Sequence, residues 1–227
     1  MANPKTTKAD TAEDTAAEAT EVAVVHPTSA PYSIDPEDID IPWINVIQKT
    51  SNIDADLGAI VLDKKHTLAA AEQIVAAIPL EPRKGWKEDI DFDSDEVARV
   101  AYTEEERAKL EEESDYDLLE FSEIPLLIPA PDGKAVDEAV YMFPVGDKRY
   151  AVGRIYAQKD GFRMTHKRLK TFDLFNHQKG VRHTERVWDF QSELMEKGKY
   201  RWYVPSLRPT EVKTDPELLA FLREFGS

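Results

Sequence analysis

The sequence contains no cysteine among its 227 residues. Disulfide bonds, thiol nucleophiles and cysteine-ligated zinc are therefore excluded, and such a chain suits a reducing compartment. No run approaches the roughly 18 apolar residues that would cross a bilayer. Residues 1–25 also lack the basic flank and the apolar core of a secretory signal. We therefore expect a soluble cytoplasmic protein with no membrane partner.

Motifs of the common catalytic sites are also missing. The sequence has no P-loop, no GxGxxG turn and no GxSxG nucleophile motif. A pair of glycosidase carboxylates cannot be selected from 44 Asp and Glu residues by sequence alone. We therefore expect a non-enzymatic protein that uses no cofactor.

Two groups of residues imitate part of a metal site. The three histidines of residues 165–183 stand eleven and six residues apart, which matches no short helical pair of zinc ligands. Residues 91–95 have Asp at every second position, as the start of a calcium-binding loop does. Glu96 stands where that loop has the glycine of its turn, and Tyr102 stands where it has the bidentate glutamate. We predict exposed histidines and an acidic surface loop, without a bound metal.

Charge divides the chain into parts of opposite sign. Residues 1–146 hold 12 Lys and Arg against 33 Asp and Glu, a net charge of −21. Residues 147–203 hold 14 against 7, a net charge of +7, and residues 204–227 have a net charge of −1. This asymmetry indicates either polyanion binding by the basic part or electrostatic pairing of the two halves within the fold.

Composition predicts one folded domain after a disordered tail. Residues 1–34 are rich in Ala, Thr and Glu and have no aromatic residue before Tyr32, so they cannot bury enough apolar area to offset the entropy of ordering. A single β-rich domain is expected over residues 35–213. Short β-branched runs predict strands within residues 57–63 and 72–80.

Local signals predict two helices. Thr103 and Glu106 have the spacing of a capping box, which predicts a short exposed helix over residues 104–113, inside an acidic insertion at about residues 81–123. An Asp-Pro start followed by Leu and Phe at helical spacing predicts a C-terminal amphipathic helix within residues 214–227.

Alternation of apolar residues predicts a first hairpin in residues 139–156. A two-residue turn at Asp147 and Lys148 would place Val145 opposite Tyr150 and collect the apolar side chains on one face. With the other strands, this hairpin predicts an α+β fold that is mainly antiparallel β.

A second hairpin is predicted in residues 187–205. A three-residue loop over residues 196–198 would pair Leu194 with Tyr200, because it brings the apolar positions of both strands to one face. The opposite face would then present Lys199, Arg201 and Tyr203.

The basic part of the chain is also rich in aromatic residues, and residues 165–183 alone hold five Lys or Arg, three His and one Asp. Cations that track phosphates and flat side chains that stack on bases are typical of single-stranded nucleic-acid binding. The alternative is that the aromatic residues fill the core and the cations decorate its surface. We predict a basic, aromatic-lined groove built by the two hairpins and the loop between them. Its nucleic-acid-binding residues would be Arg149, Arg154, Arg163, Lys167, Arg168, Lys170, Phe172, Phe175, Lys179, Arg182, Lys199, Arg201 and Tyr203.

Two stretches, GFRMTHKRLKTF at residues 161–172 and SELMEKGKYRWYVPSL at residues 192–207, resemble small phage-encoded single-stranded DNA-binding proteins of the OB-fold type. The resemblance covers the general character of about residues 40–205. It implies an OB-like barrel or small sandwich, and DNA binding in phage replication or recombination in the host cell cytoplasm. Proteins of that kind usually carry an acidic C-terminal tail, whereas residues 214–227 hold three acids and the predicted helix.

Two other functions stay open from the sequence. A structural or assembly protein, for example a virion component, would dock partner subunits or form a homo-oligomer through the C-terminal helix. An acidic decoy would use the half of net charge −21 to occupy a nucleic-acid-binding host protein. The partner-binding anchors of the first alternative would be Leu218, Phe221, Leu222 and Phe225.

Overall fold

The structure, a computed structural model, describes residues 40–91, 94–133 and 136–225. The predicted tail of residues 1–34 lies outside these ranges. The helices are α1 (Glu104–Glu113), α2 (Lys159–Met164), α3 (His166–Asn176) and α4 (Pro216–Phe225), with short 3₁₀ turns at His177–Lys179 and His183–Glu185. The strands are β1 (Trp43–Val46), β2 (Ile60–Leu62), β3 (His66–Ala69), β4 (Val75–Pro79), β5 (Arg83–Glu88), β6 (Val100–Ala101), β7 (Leu118–Pro129), β8 (Phe143–Val145), β9 (Lys148–Gln158), β10 (Arg186–Lys197) and β11 (Tyr200–Lys213).

The strands form one mainly antiparallel sheet. Its order is β11-β10-β4-β7-β9-β1-β2-β3, while β5 joins β7 and β6, and β8 joins β9. The one parallel pair among the described strands is β1 with β9. The sheet is not closed, so the predicted mixed, strand-rich class is confirmed and the OB-like barrel is not.

Strand β7 lies at the centre because both of its edges are paired. One edge pairs with β9 from Phe121 to Pro129. The other edge pairs first with β5, from Leu118 to Glu123, and then with β4 at Leu126 and Leu127. This corrects the prediction of an acidic insertion at about residues 81–123, because β5 and the first half of β7 belong to the sheet.

One face of the sheet packs against α2 and α3 and forms the main core. Leu169 of α3 and both Trp188 and Phe190 of β10 are fully buried. The ring of Phe172 meets Trp188 edge-on, with 5.3 Å between the ring centroids. Aromatic rings of this size supply much of the burial energy of a core, and truncation of one to Ala typically costs about 3–5 kcal/mol.

The segment of residues 165–183 was expected as a loop between the hairpins, and that prediction is wrong. His166, Leu169 and Phe172 stand three residues apart and face the sheet, so a helix buries them together. Thr165 joins α2 to α3, and its buried hydroxyl donates to the carbonyl of Gly161 at 2.7 Å.

The predicted helix over residues 104–113 is confirmed as α1. Thr103 Oγ1 accepts from the amide of Glu106 at 3.1 Å, and the Glu106 carboxylate accepts from the amide of Thr103 at 3.1 Å. These reciprocal bonds form the capping box that the sequence predicts. Leu110 is the buried residue of this helix.

The predicted C-terminal helix is confirmed as α4, but its apolar side does not face outward. Leu218 is fully buried, the Phe221 ring lies 5.1 Å from that of Phe143, and Leu222 packs in the same cluster. These side chains cover β7 and β9 on the face opposite the main core. They are therefore not available as anchors for a partner subunit, and the side chain of Phe225 lies outside the described part.

The first hairpin differs from its predicted register by two residues. Val145 pairs with Lys148 and Phe143 pairs with Tyr150, so the turn residues are Gly146 and Asp147. Gly146 has φ 58°, and a type II′ turn takes glycine at its first central position. A shift of two leaves each side chain on its predicted face, because strand faces alternate with period two.

The second hairpin differs from its predicted register by an odd number of residues. Lys197 pairs with Tyr200 and Leu194 pairs with Tyr203, across a two-residue turn that begins at Gly198. Gly198 has φ 61°, which again fits the first position of a type II′ turn. The odd shift reverses the faces of β11 relative to the prediction, so Tyr203 shares a face with Leu194 and Trp202 does not.

Candidate functional site

Most of the cations that were predicted to bind nucleic acid pair with carboxylates of the same chain. Lys170 and Arg182 both reach Glu81, at 2.5 and 2.7 Å. Arg154 lies 3.7 Å from Glu123. The acidic and basic halves of the sequence therefore pair within the fold at these positions.

Other predicted cations pair with acids close to them in the structure. The ion pairs are Arg149 with Glu138, Arg163 with Asp160, Arg168 with Glu193 and Arg201 with Glu196, at 2.8–3.8 Å. Lys167, Lys179 and Lys199 form no ion pair with a described residue. The predicted site residues therefore do not form one continuous basic groove.

The predicted residues fall into separate surface regions. Five of them, all on or beside α3, line one groove: Arg163, Lys167, Arg168, Phe172 and Phe175. Tyr203 lines a different cleft, next to Trp202. Lys199 and Arg201 lie at and next to the β10–β11 turn.

The cleft that Tyr203 lines lies between β1, β9, β11 and the start of α2 and has a volume of about 690 Å³. It forms because β1 and β9 pair at just two positions, Trp43 with Arg154 and Ile44 with Ile155. The segment Trp202–Pro205 of β11 lines the space next to these pairs. We call this space the β1–β9 cleft.

Four aromatic residues line the β1–β9 cleft: Trp43, Tyr156, Trp202 and Tyr203. All four are partly exposed. Tyr156 stacks on the buried ring of Phe121, with ring centroids 5.0 Å apart. This packing holds the Tyr156 ring in place.

Cations accompany two of these rings. The Arg154 guanidinium lies 4.0 Å from the ring centroid of Trp43, and the Lys87 ammonium lies 5.4 Å from that of Tyr156. Lys159 lines the cleft and pairs with Asp89 at 3.2 Å. Positive charge and flat rings are therefore combined beside the cleft, and Asp160 also lines it.

Alternation along β9 explains why this surface is open. Tyr150, Val152, Arg154, Tyr156 and Gln158 share one face of the strand. Helix α4 covers the first two through the cluster around Leu218. Beyond α4 the strand changes from apolar to cationic and aromatic side chains, and the start of α2 borders the cleft there.

Two buried polar atoms on this surface lack a hydrogen-bond partner among the described residues: Nε of Arg154 and Oε1 of Gln158. Buried polar groups are paired in most native structures, so such atoms call for an explanation. Both atoms are buried within the protein, so neither is exposed to a molecule in the β1–β9 cleft.

Burial changes the titration of two groups beside the cleft. Burial, and then the charge of Glu123, raises the pKa of Tyr156 to about 12, so this hydroxyl stays protonated at neutral pH. Burial also lowers the pKa of Lys87, while the charge of Asp89 opposes that change. Tyr156 can therefore act as a neutral stacking ring with a hydrogen-bond donor.

The position of β11 beside β1 depends on one side-chain amide. Gln48 Nε2 donates to the carbonyl of Tyr203 at 2.7 Å, and Gln48 Oε1 accepts from the amide of Tyr203 at 3.0 Å. Gly58 lies so close that a Cβ there would sit 2.7 Å from the Tyr203 ring. Both residues set where Tyr203 stands in the cleft.

Of the cleft residues, the predicted nucleic-acid-binding residues include Tyr203 and omit Trp43, Gln48, Tyr156, Gln158 and Trp202. The signal that could have included Trp43 is the neighbouring aromatic and amide composition of residues 43–48. The parallel pairing with β9, more than 100 residues away, has no local signature in the sequence.

The histidines of residues 165–183 lie in different surroundings. His166 Nδ1 lies 3.0 Å from the Ser122 hydroxyl, and His183 is fully buried with Nδ1 2.7 Å from Asp173. This corrects the prediction that these two are exposed, whereas His177 is exposed. Across the described ranges, no three His, Asp or Glu side chains come together as a metal site requires.

The fold and the cleft define a mixed α/β protein with an open, mostly antiparallel sheet and an aromatic-lined cleft between β1, β9 and β11. Comparison with protein-family models, with curated proteins and with solved structures found no match to the chain. None of the helices in the described residues combines the length and the apolar character needed to cross a membrane.

Proposed function

We propose that this chain is a non-enzymatic protein that binds single-stranded DNA. The bases of the DNA would stack in the β1–β9 cleft. The observation that carries the proposal is the convergence of Trp43, Tyr156, Trp202 and Tyr203 on one cleft. Every base has a flat face, so aromatic side chains can hold a strand without reading its sequence. A role in phage replication or recombination belongs to the same proposal.

The dimensions of the cleft support a strand with unstacked bases. Its volume of about 690 Å³ lies within the range of roughly 300–1,000 Å³ that small-molecule sites occupy. About one or two bases would therefore enter it. Duplex DNA keeps its bases stacked inside the helix, so the cleft favours a single strand.

The cations beside the cleft would contact phosphates, but two of them first have to leave a carboxylate. Arg154 lies against Glu123 and Lys159 against Asp89. With Lys87, three cations are within reach of the cleft surface. Each neutralised phosphate of a single strand contributes about 0.7 to the slope of log affinity against log salt. We therefore expect a slope near about −2, and stacking as the larger contribution.

Fluorescence anisotropy of a labelled oligo(dT) tests the proposal. The change Trp202→Ala should weaken binding about 5- to 150-fold, because stacking of one base on an aromatic ring contributes about 1–3 kcal/mol. Tyr200→Ala is the matched control, since Tyr200 is an aromatic residue of the same strand that is 66% exposed and lies outside the cleft. Equal affinities of the two variants, or no binding by the unaltered protein at low salt, would contradict the proposal.

The alternatives drawn from the sequence differ in their support. The described residues do not support docking of partners through α4, because Leu218, Phe221 and Leu222 pack on the protein's own sheet. The acidic-decoy hypothesis stays a prediction, and co-purification with a basic host protein would test it.

A further inference from the structure

Helix α3 presents an apolar surface that no described part of the chain covers. Leu174 and Phe175 are adjacent, and their side chains are 73% and 77% exposed. Beside them lies a groove of about 520 Å³ whose apolar residues include Phe172, Phe175 and Pro209. We call it the α3 groove. Large adjacent apolar residues on a surface commonly mark an interaction site.

The charge of the α3 groove limits what can occupy it. Arg163, Lys167 and Arg168 line it, and no carboxylate does among the described residues. Arg163 and Arg168 pair with Asp160 and Glu193 outside the groove lining, at 3.2 and 3.8 Å. Lys167 forms no ion pair with a described residue and is exposed. An occupant that matches both properties has apolar side chains flanked by carboxylates.

A second surface of the same chain has that complementary character. Val97 is 90% exposed and Tyr116 is 36% exposed, and they border a hollow of about 340 Å³ together with Glu96, Glu113 and Asp115. The Tyr116 hydroxyl donates to Glu96 at 2.9 Å, which holds the two side chains together. We call this surface the acidic patch.

The cation of the acidic patch is already engaged. Arg99 binds Glu88 at 2.7 Å and Glu113 at 3.4 Å. Asp115 is exposed, and its charge contributes to raising the pKa of Arg99. Carboxylate charge therefore remains available around Val97 and Tyr116.

We propose that the α3 groove of one molecule receives the acidic patch of a second copy of this chain. Both surfaces are exposed at once in a single molecule, so neither satisfies the other within the fold. Different patches meet in this contact, which makes it heterologous, and such contacts build rings or open chains. The inference does not depend on DNA binding.

Charge reversal tests the contact, with sedimentation velocity of the full chain at low salt as the readout. Lys167→Glu places a carboxylate in the α3 groove opposite the carboxylates of the acidic patch. Asp115→Lys places an ammonium in the acidic patch opposite the cations of the α3 groove. Each variant alone should self-associate at least about tenfold more weakly than the unaltered protein, because like charges oppose each other across the interface. An equimolar mixture should regain association, because the reversed surfaces complement each other.

Lys199→Glu is the matched control, since Lys199 is another cation without a described ion pair but lies at the β10–β11 turn. It should leave self-association unchanged. Thermal unfolding monitored by circular dichroism checks that all variants fold. A monomeric unaltered protein, or a mixture that stays as weakly associated as its components, would overturn the inference.

The variant Phe175→Ser separates this contact from DNA binding. It should weaken self-association and leave the oligo(dT) affinity of the monomer unchanged. The opposite result, weaker DNA binding with unchanged self-association, would assign the α3 groove to nucleic acid and overturn the inference. Loss of oligo(dT) binding on Trp202→Ala is a separate result, because Trp202 lines the β1–β9 cleft and not the α3 groove.

Discussion

At the scale of single residues, burial places a histidine where its charge is disfavoured. His166 stacks on Phe162 with ring centroids 4.6 Å apart and lies against the Ser122 hydroxyl. Burial, and then the nearby charges of Lys170 and Lys84, lower its pKa to about 4. The imidazole is therefore neutral in the folded protein at pH 7.

This lowered pKa predicts a loss of stability in acid. An unfolded histidine titrates near pH 6.5, so between pH 6.5 and 4 the unfolded chain binds the proton that the folded protein excludes. The His166 contribution is fully present above pH 6.5 and decreases as the pH falls towards 4, by up to about 3 kcal/mol. Urea unfolding of His166→Gln should show a smaller decrease over this range. His177→Gln, at an exposed histidine, should behave as the unaltered protein, and equal pH dependence of both variants would contradict the prediction.

Gly58 illustrates how one backbone position can support the cleft. Its φ is 80°, and an added Cβ would lie 2.7 Å from the Tyr203 ring and 2.8 Å from Ala71 Cβ. A side chain at this position would therefore meet both an unfavourable backbone conformation and crowding.

Two glycine substitutions separate these effects. Gly180 has φ 64° and nothing within 4 Å of an added Cβ, so Gly180→Ala should cost about 1 kcal/mol from the backbone alone. Gly58→Ala should cost about 1–3 kcal/mol more, because it also crowds Tyr203, and it should weaken oligo(dT) binding. Denaturant unfolding and anisotropy measure the two results. Equal stabilities of the two variants would show that Tyr203 does not constrain Gly58.

At the scale of elements, helices whose starts are encoded locally were predicted and strand registers were not. The capping box of α1 and the Asp215 start of α4 involve residues within a few positions of each other. The register of β10 with β11 depends on the turn at Gly198 and on the contact of Tyr203 with Gln48. Hydrophobic alternation alone therefore paired Leu194 with the wrong residue.

The packing of α4 predicts a stability role for its apolar side. Leu218→Ala should destabilise the protein by about 2–5 kcal/mol, because the removed methyl groups leave a cavity between α4 and β9. Ala220→Ser, at an exposed position of the same helix, is the control and should change little. Denaturant unfolding gives both values. An unchanged stability of Leu218→Ala together with loss of an oligomer would instead restore α4 as a docking helix.

At the scale of the whole molecule, the contrast between an acidic and a basic half is partly resolved inside the fold. Glu81 alone pairs with two cations of the basic segment, Lys170 and Arg182. The long-range attraction between the halves therefore contributes to their assembly, although each exposed pair adds little, typically about 0–1 kcal/mol. The basic segment is thus less available for phosphates than its composition indicates.

The sequence by itself determined the strand-rich mixed class, the positions of α1 and α4, and the approximate places of β2 and β4, because these depend on caps and on patterns within about ten residues. The tertiary structure alone decided the open sheet, the helical state of residues 166–176 and the β1–β9 cleft. Trp43, Tyr156 and Trp202 are far apart along the chain and meet through the parallel pairing of β1 with β9 and the Gln48 contact to β11. Such long-range contacts are selected by the packing of the whole core, so no local pattern reports them.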